Sequence, residues 1–139
     1  MITFTIPGEI KGKQRPRVTR TGHVYTPAQT RKAESDIAII AKAAMRGQAP
    51  ISEPVSLNIM VITEPPRSIT KAKRQAMLAG ILRPAKKPDL DNVVKLISDA
   101  LNGVVFEDDR QVVELWVVKR YGEEARAVVS VDFVANQSA

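Results

Sequence analysis

Between Leu90 and Leu101 the residues Leu90, Val93, Val94, Ile97, Ala100 and Leu101 recur at spacings of 3, 1, 3, 3 and 1. That rhythm draws an apolar stripe along a helix, and the stripe needs a surface to cover it. Shortly afterwards the rhythm changes. Segments 111–120 (QVVELWVVKR) and 126–134 (RAVVSVDFV) are dense in β-branched and aromatic residues. A helix that must be covered, followed by strands able to cover it, points to a layered domain of helices on a sheet.

The rest of the chain reads compatibly. Alternating Ile2, Phe4 and Ile6 form a short strand, followed by a long basic loop over 7–25 rich in Gly and Pro. Thr26 is suited to cap the next helix, with Pro27 at its first position and Gln29 completing a capping box. Ala33, Ile37, Ile40, Ala41 and Ala44 give that helix its apolar face, and Gly47 ends it. Val55, Leu57, Ile59 and Val61 mark a strand, broken by Pro65 and Pro66. Ser68 is placed to cap a short basic helix over 69–79, closed by Gly80. The order is β-α-β-α-α-β-β: an α+β fold, one domain spanning 1–139, with a mixed four-stranded sheet packed against helices. Gly122 between the last two strands predicts that they pair as a hairpin. Trp116 and Phe106 are read as core residues.

The chain has 139 residues, 44% of them apolar, enough for a core without covalent staples. It has no cysteine and one histidine, His23, read as an exposed loop residue. Thiol chemistry, Cys-based zinc sites and a Ser–His–Asp triad are therefore poor candidates. There is no Walker A loop and no Rossmann glycine fingerprint. No apolar run approaches a membrane span and no signal pattern opens the chain, so a soluble, cytoplasmic protein is expected.

The net charge is +6, and its distribution says more than its sum. Residues 11–20 hold five Lys/Arg and no acid, and residues 71–87 hold six and no acid. Residues 107–114 hold four acids and one base. Basic segments suit a polyanion. A focus of acids within such a chain suits a metal ion beside a bound phosphate backbone.

Two acidic groups stand out. Asp89 and Asp91 open the Leu90 helix, where helix-starting acids are common. Lys95 and Asp99 follow at four-residue steps on the same helix face, as in a solvated ladder of ion pairs. Glu107, Asp108 and Asp109 precede the first terminal strand, as in a solvated turn. Taken together they read differently. Mg²⁺ takes hard oxygen ligands and keeps several waters, so two or three carboxylates from separate elements suffice. Lys95 beside them could hold a phosphate oxygen. A Pro-Asp…(Asp/Glu)-x-Lys nuclease is set aside, because the only acid-x-Lys here, Glu9-Ile10-Lys11, lies far before Pro88-Asp89.

The stretch Lys87–Arg120, KPDLDNVVKLISDALNGVVFEDDRQVVELWVVKR, resembles the RusA family of Holliday junction endonucleases. The shared pattern is D-L-D-N-x-x-K, then D-A-L, then D-D-x-Q-V/I, then a β-rich run. The opening GKQRPRVTRTGHVYTP is similar to that of phage-type members, which makes a phage or prophage source plausible. The resemblance implies a homodimer that binds a four-way DNA junction and nicks two strands symmetrically. It implies Mg²⁺, with Mn²⁺ able to substitute, and no organic cofactor. The family's catalytic aspartates fall on Asp89, Asp91 and Asp109 and its lysine on Lys95, with Asp108 a further metal ligand candidate. Lys11, Lys13, Arg15, Arg17, Arg20, Lys86 and Lys87 are the expected DNA contacts. Some members carry arginine where this chain has Pro88, so contact there must come from elsewhere. Rival expectations are a non-catalytic junction-binding protein and a nuclease for other branched substrates or RNA.

Overall fold

The computed structural model describes residues 1–25 and 27–136. Four strands form one sheet: β1 (Ile2–Pro7), β4 (Val55–Thr63), β5 (Val112–Tyr121) and β6 (Arg126–Phe133). Two short strands, β2 (Arg17–Val18) and β3 (Val24–Tyr25), form a separate hairpin. The helices are α1 (Ala28–Met45), α2 (Lys71–Leu78) and α3 (Leu90–Leu101). A single 3-10 turn spans Asp109–Gln111. The four main strands and three helices are those expected; the β2–β3 hairpin and the 3-10 turn were not.

The sheet order is β1-β6-β4-β5. β6 is antiparallel to both β1 and β4, while β4 and β5 run parallel. The expected hairpin between β5 and β6 is therefore wrong, because β4 lies between them. The reason lies in burial. β6 buries Ala127, Val129 and Val131 on one face, as a central strand does, whereas no residue of β5 is buried and half are exposed. The connection between them crosses the end of β4, where the Gly122 amide donates to the Thr63 carbonyl at 3.0 Å. Glycine is required there, since a Cβ on residue 122 would sit 2.4 Å from Ile62 Cγ2.

α1 and α3 pack on each other, α1 against β1 and α3 against β5. Their apolar stripes meet Phe4, Ile6, Leu57, Ile59, Val61, Val129 and Val131 in one core. α3 supplies Val93, Leu96, Ile97, Ala100 and Leu101, all buried. Phe106 is fully buried as expected, but Trp116 is 68% exposed, because it lies in register with exposed Asn58 of β4 on the sheet face the helices do not cover. The Thr26 cap lies outside the described residues. Pro27 is the cap residue of α1 rather than its first helical residue. α2 is capped by Thr70, whose Oγ1 accepts from the Lys73 amide at 3.3 Å, and not by Ser68. Among the described residues no helix is long and apolar enough to cross a membrane.

Gly122→Ala should destabilise the fold by about 1–3 kcal/mol through overpacking. Ile62→Ala removes the clashing methyl, so the double variant should lose less than the two singles summed. Urea denaturation of the four proteins checks this.

Candidate active site

The chain enters α3 through a cis Lys87–Pro88 bond and the extended residue Asp89. The Asp89 carbonyl accepts the Val93 amide at 3.1 Å and starts the helix, but its carboxylate makes no capping bond. Its one side-chain contact is from Asn92 Nδ2, at 3.5 Å. Asp91, in the first turn, is exposed. Helix capping therefore does not account for the Asp89 carboxylate, which is left facing solvent beside Asp91.

Lys95 is exposed one turn further on and has no ion pair within 4 Å among the described residues. The ladder Asp91–Lys95–Asp99 is not formed, because Asp99 has another partner. Lys13 Nζ donates to Asp99 Oδ2 and lies 3.5 Å from Glu34 Oε1, in α1. The Lys13 amide also donates to the Asn92 carbonyl at 3.1 Å, and Gly12 packs so closely on Asn92 that a Cβ there would lie 2.6 Å from its Cβ. Lys13 is thus a tie between the basic segment, α1 and α3, and not the free DNA contact expected. Its hydrogen bond to Asp99 holds its pKa above the ordinary value, against the opposing effect of burial. Lys11, Arg15, Arg17 and Arg20 are exposed, as are Lys86, Lys87 and His23.

The second acidic group is anchored on the segment before β4. Gln111 Nε2 donates to the carbonyls of Ile51 and Glu53 at 2.8 and 2.9 Å, while its Oε1 accepts the Asp108 amide at 2.8 Å. Asp108 Oδ1 accepts the Arg110 amide at 3.0 Å, completing a reciprocal cap. That bond holds the Asp108 carboxyl below its ordinary pKa. Asp108 is therefore committed to shaping the turn and is a poorer ligand candidate than its neighbour. Asp109 differs. Desolvation, then a hydrogen bond with Asp108 and its charge, then the charge of Asp99, push its carboxyl above the ordinary value.

Lys119, near the end of β5, reaches Pro88 just before α3, while Asp109 precedes the start of β5 in a turn that packs on α3, so Asp109 lies toward the Asp99 end of the helix. Asp89 and Asp91 are at the other end, about 12 Å away along the axis from Asp99 to Asp91. Among the described residues no three His, Cys, Asp or Glu side chains converge on one ion. The expectation that Asp89, Asp91 and Asp109 meet at a common point is thus not met, because α3 separates them by its length. What the fold does form is an open acidic face: Asp89 and Asp91, then Lys95, then Asp99 and Asp109. The donor set fits Mg²⁺ held by one or two carboxylates and its own waters, not a closed cage of three.

Lys119 was hidden in the sequence inside a β-prone run. Its Nζ donates to the Lys86 carbonyl and, at 3.0 Å, to the Pro88 carbonyl. It fixes the loop that presents Asp89. Asp99 and Glu34 were equally hidden, since only the fold reveals that Lys13 reaches them. A cleft of about 680 Å³ between segment 6–14 and α1 contains none of the acids of this face.

A family model described as "Endodeoxyribonuclease RusA" matches residues 7–132. The chain belongs to the RusA endodeoxyribonuclease family. It is also 39% identical over 135 residues to "Uncharacterized protein YqaN" of Bacillus subtilis (strain 168), covering 94% of each chain. The family is a DNA nuclease family.

Two outcomes follow. Lys13→Met should cost about 1–2 kcal/mol. A raised lysine pKa adds stability that is complete below 10.5 and lost as pH rises through the raised value. The gap between wild type and variant in thermal unfolding should therefore be constant near neutrality and close at high pH. Asp109 has the opposite sense. A raised carboxyl pKa disfavours the folded state above it, and this penalty fades as pH falls through that value toward 3.8. Asp109→Asn should raise the melting temperature at pH 7 without metal, and the gain should shrink in acid.

Proposed function

We propose that this chain is a Mg²⁺-dependent endonuclease selective for four-way DNA junctions, acting as a homodimer that makes paired symmetric nicks. The observation that carries the reading is the pair of uncapped, exposed carboxylates, Asp89 and Asp91, with the unpaired Lys95 one turn along. The helix dipole accounts for an acid in the first turn, but no capping bond engages the Asp89 carboxylate.

Asp89 and Asp91 would hold the ion, with Asp109 the remaining acid of the face. The chemistry that Mg²⁺ supplies when bound is polarisation of the scissile phosphoryl group and acidification of a water. Lys95 sets its ammonium against a non-bridging phosphate oxygen and stabilises charge developing there. Lys119, through the Lys86 and Pro88 carbonyls, holds the Asp89 loop in place. Asp108 and Gln111 fix the turn that carries Asp109.

Binding is assigned to Lys11, Arg15, Arg17 and Arg20, with Lys86 and Lys87 beside Asp89. Arg17 and Arg20 lie in the β2–β3 hairpin, which the Thr19 amide closes by donating to the His23 carbonyl at 2.8 Å. A two-stranded ribbon of this kind is a shape that DNA grooves admit. The openness of the acidic face suits a polymer, not an enclosed metabolite.

A second reading, a junction-binding protein without catalysis, is favoured by the failure of the three aspartates to converge on one ion. One experiment separates the two. With a labelled four-way junction and Mg²⁺, wild type should give paired symmetric nicks, and Asp91→Asn should bind the junction but not cut it. Binding without cutting by wild type would leave the second reading. Cutting by Asp91→Asn equal to wild type would remove Asp91 from the site. Flap, duplex and RNA substrates in parallel test junction selectivity. Arg17→Ala should weaken binding and lower the slope of log affinity against log salt by about 1.

A further inference from the structure

β5 is an edge strand with the features of a paired one. It runs ten residues with no proline or glycine, and its irregularity against β4 is confined to its start. Val113, Leu115 and Trp116 are 58%, 51% and 68% exposed. Edge strands that remain unpaired are usually short, interrupted or charged. The opposite edge obeys that rule: β1 has six residues and ends in Pro7.

We propose that β5 pairs antiparallel with β5 of a second copy about a two-fold axis at Val117, joining two sheets into one of eight strands. The inference rests on the homodimer in the reading above and names its surface. Geometry limits the choice. In an antiparallel pair, opposed residues both point their backbone groups at each other or both away. A strand pairing with itself must therefore place the axis at a residue, not between two.

With the axis at Val117, Glu114 faces Arg120 of the other copy, twice over. Trp116 faces Val118, Leu115 the stem of Lys119, and Val113 faces Tyr121. With the axis at Trp116, Glu114 would face Val118 and Val113 would face Lys119. With the axis at Val118, Trp116 would face Arg120. Only the Val117 register matches acid to base and covers all three exposed apolar residues.

The two faces of the strand agree with this pairing. Trp116 and Val118 lie in register with Asn58 and Met60, away from the helices, while Leu115, Val117 and Lys119 lie in register with buried Leu57, Ile59 and Val61. The two-fold of an antiparallel pair is normal to the sheet, so both helix layers fall on the same side. Both acidic faces are then presented to the same side of one sheet, as two symmetric nicks in a single junction require.

The test uses the full chain in analytical ultracentrifugation. Wild type should be a dimer. Glu114→Arg should weaken association about tenfold or more, since two attractive pairs become repulsive. The swap E114R/R120E should restore it. The chain has no cysteine. Val117→Cys should therefore give a covalent dimer on mild oxidation, because residues opposed at the axis lie within disulfide reach, whereas Ile39→Cys, exposed on α1, should not. A dimer unaffected by Glu114→Arg and not trapped by Val117→Cys would overturn the β5 surface while leaving the dimer. A monomeric wild type would overturn both. Junction cutting by the same samples reports on the nuclease reading separately.

Discussion

The parallel pairing of β4 with β5 is the constraint on which the rest depends. Parallel neighbours cannot be joined by a tight turn, so the chain must leave one end of the sheet and return to the other. The connection from Thr63 to Val112 does this, and it carries α2, the Lys86–Pro88 loop, α3 and the acidic turn. Every residue of the acidic face lies on it. α3 is held over β5 by its apolar stripe, and its polar face is left outward as a consequence. Asp89, Asp91 and Lys95 are exposed because Val93, Leu96, Ile97, Ala100 and Leu101 are not.

Around this crossover the charged side chains divide into those that hold the fold and those left free. Lys13, Asp99 and Glu34 bind the basic segment to both long helices, and Asp108 with Gln111 shapes the turn before β5. Lys119 ties the edge strand to the loop before Asp89. On the same crossover Asp89, Asp91, Lys95 and Asp109 make no ion pair within 4 Å among the described residues. The Asp108–Asp109 pair shows the division most clearly. Adjacent and chemically identical, they are driven in opposite directions, one by a backbone hydrogen bond and the other by burial and like charge.

The periodicities of the chain were enough to locate the strands and helices, because side-chain burial repeats with the geometry of each element. The stripe from Leu90 to Leu101 became α3 with those bounds. Phe106 was also read as core and is fully buried, although it lies outside any helix or strand. Strand pairing was not legible. The runs 111–120 and 126–134 look equally β-prone, and a glycine between them suggests a hairpin. Gly122 instead serves a close passage over Ile62, and β6 inserts between β1 and β4. Trp116 was misread as well, since the helices cover one face of the sheet and the other stays exposed even on the central strand β4, at Asn58 and Met60.

The sequence by itself determined the family, the candidate acids and the basic segments, because these depend on residue types at fixed spacings along the chain. Only the tertiary structure decided which charges are free. Ion pairs and caps form between residues far apart in sequence: Lys13 with Asp99, Gln111 with Ile51, and Lys119 with Lys86. It also decided that α3 sets Asp91 and Asp109 apart, since a helix fixes distance along its axis whatever the spacing of its acids implies.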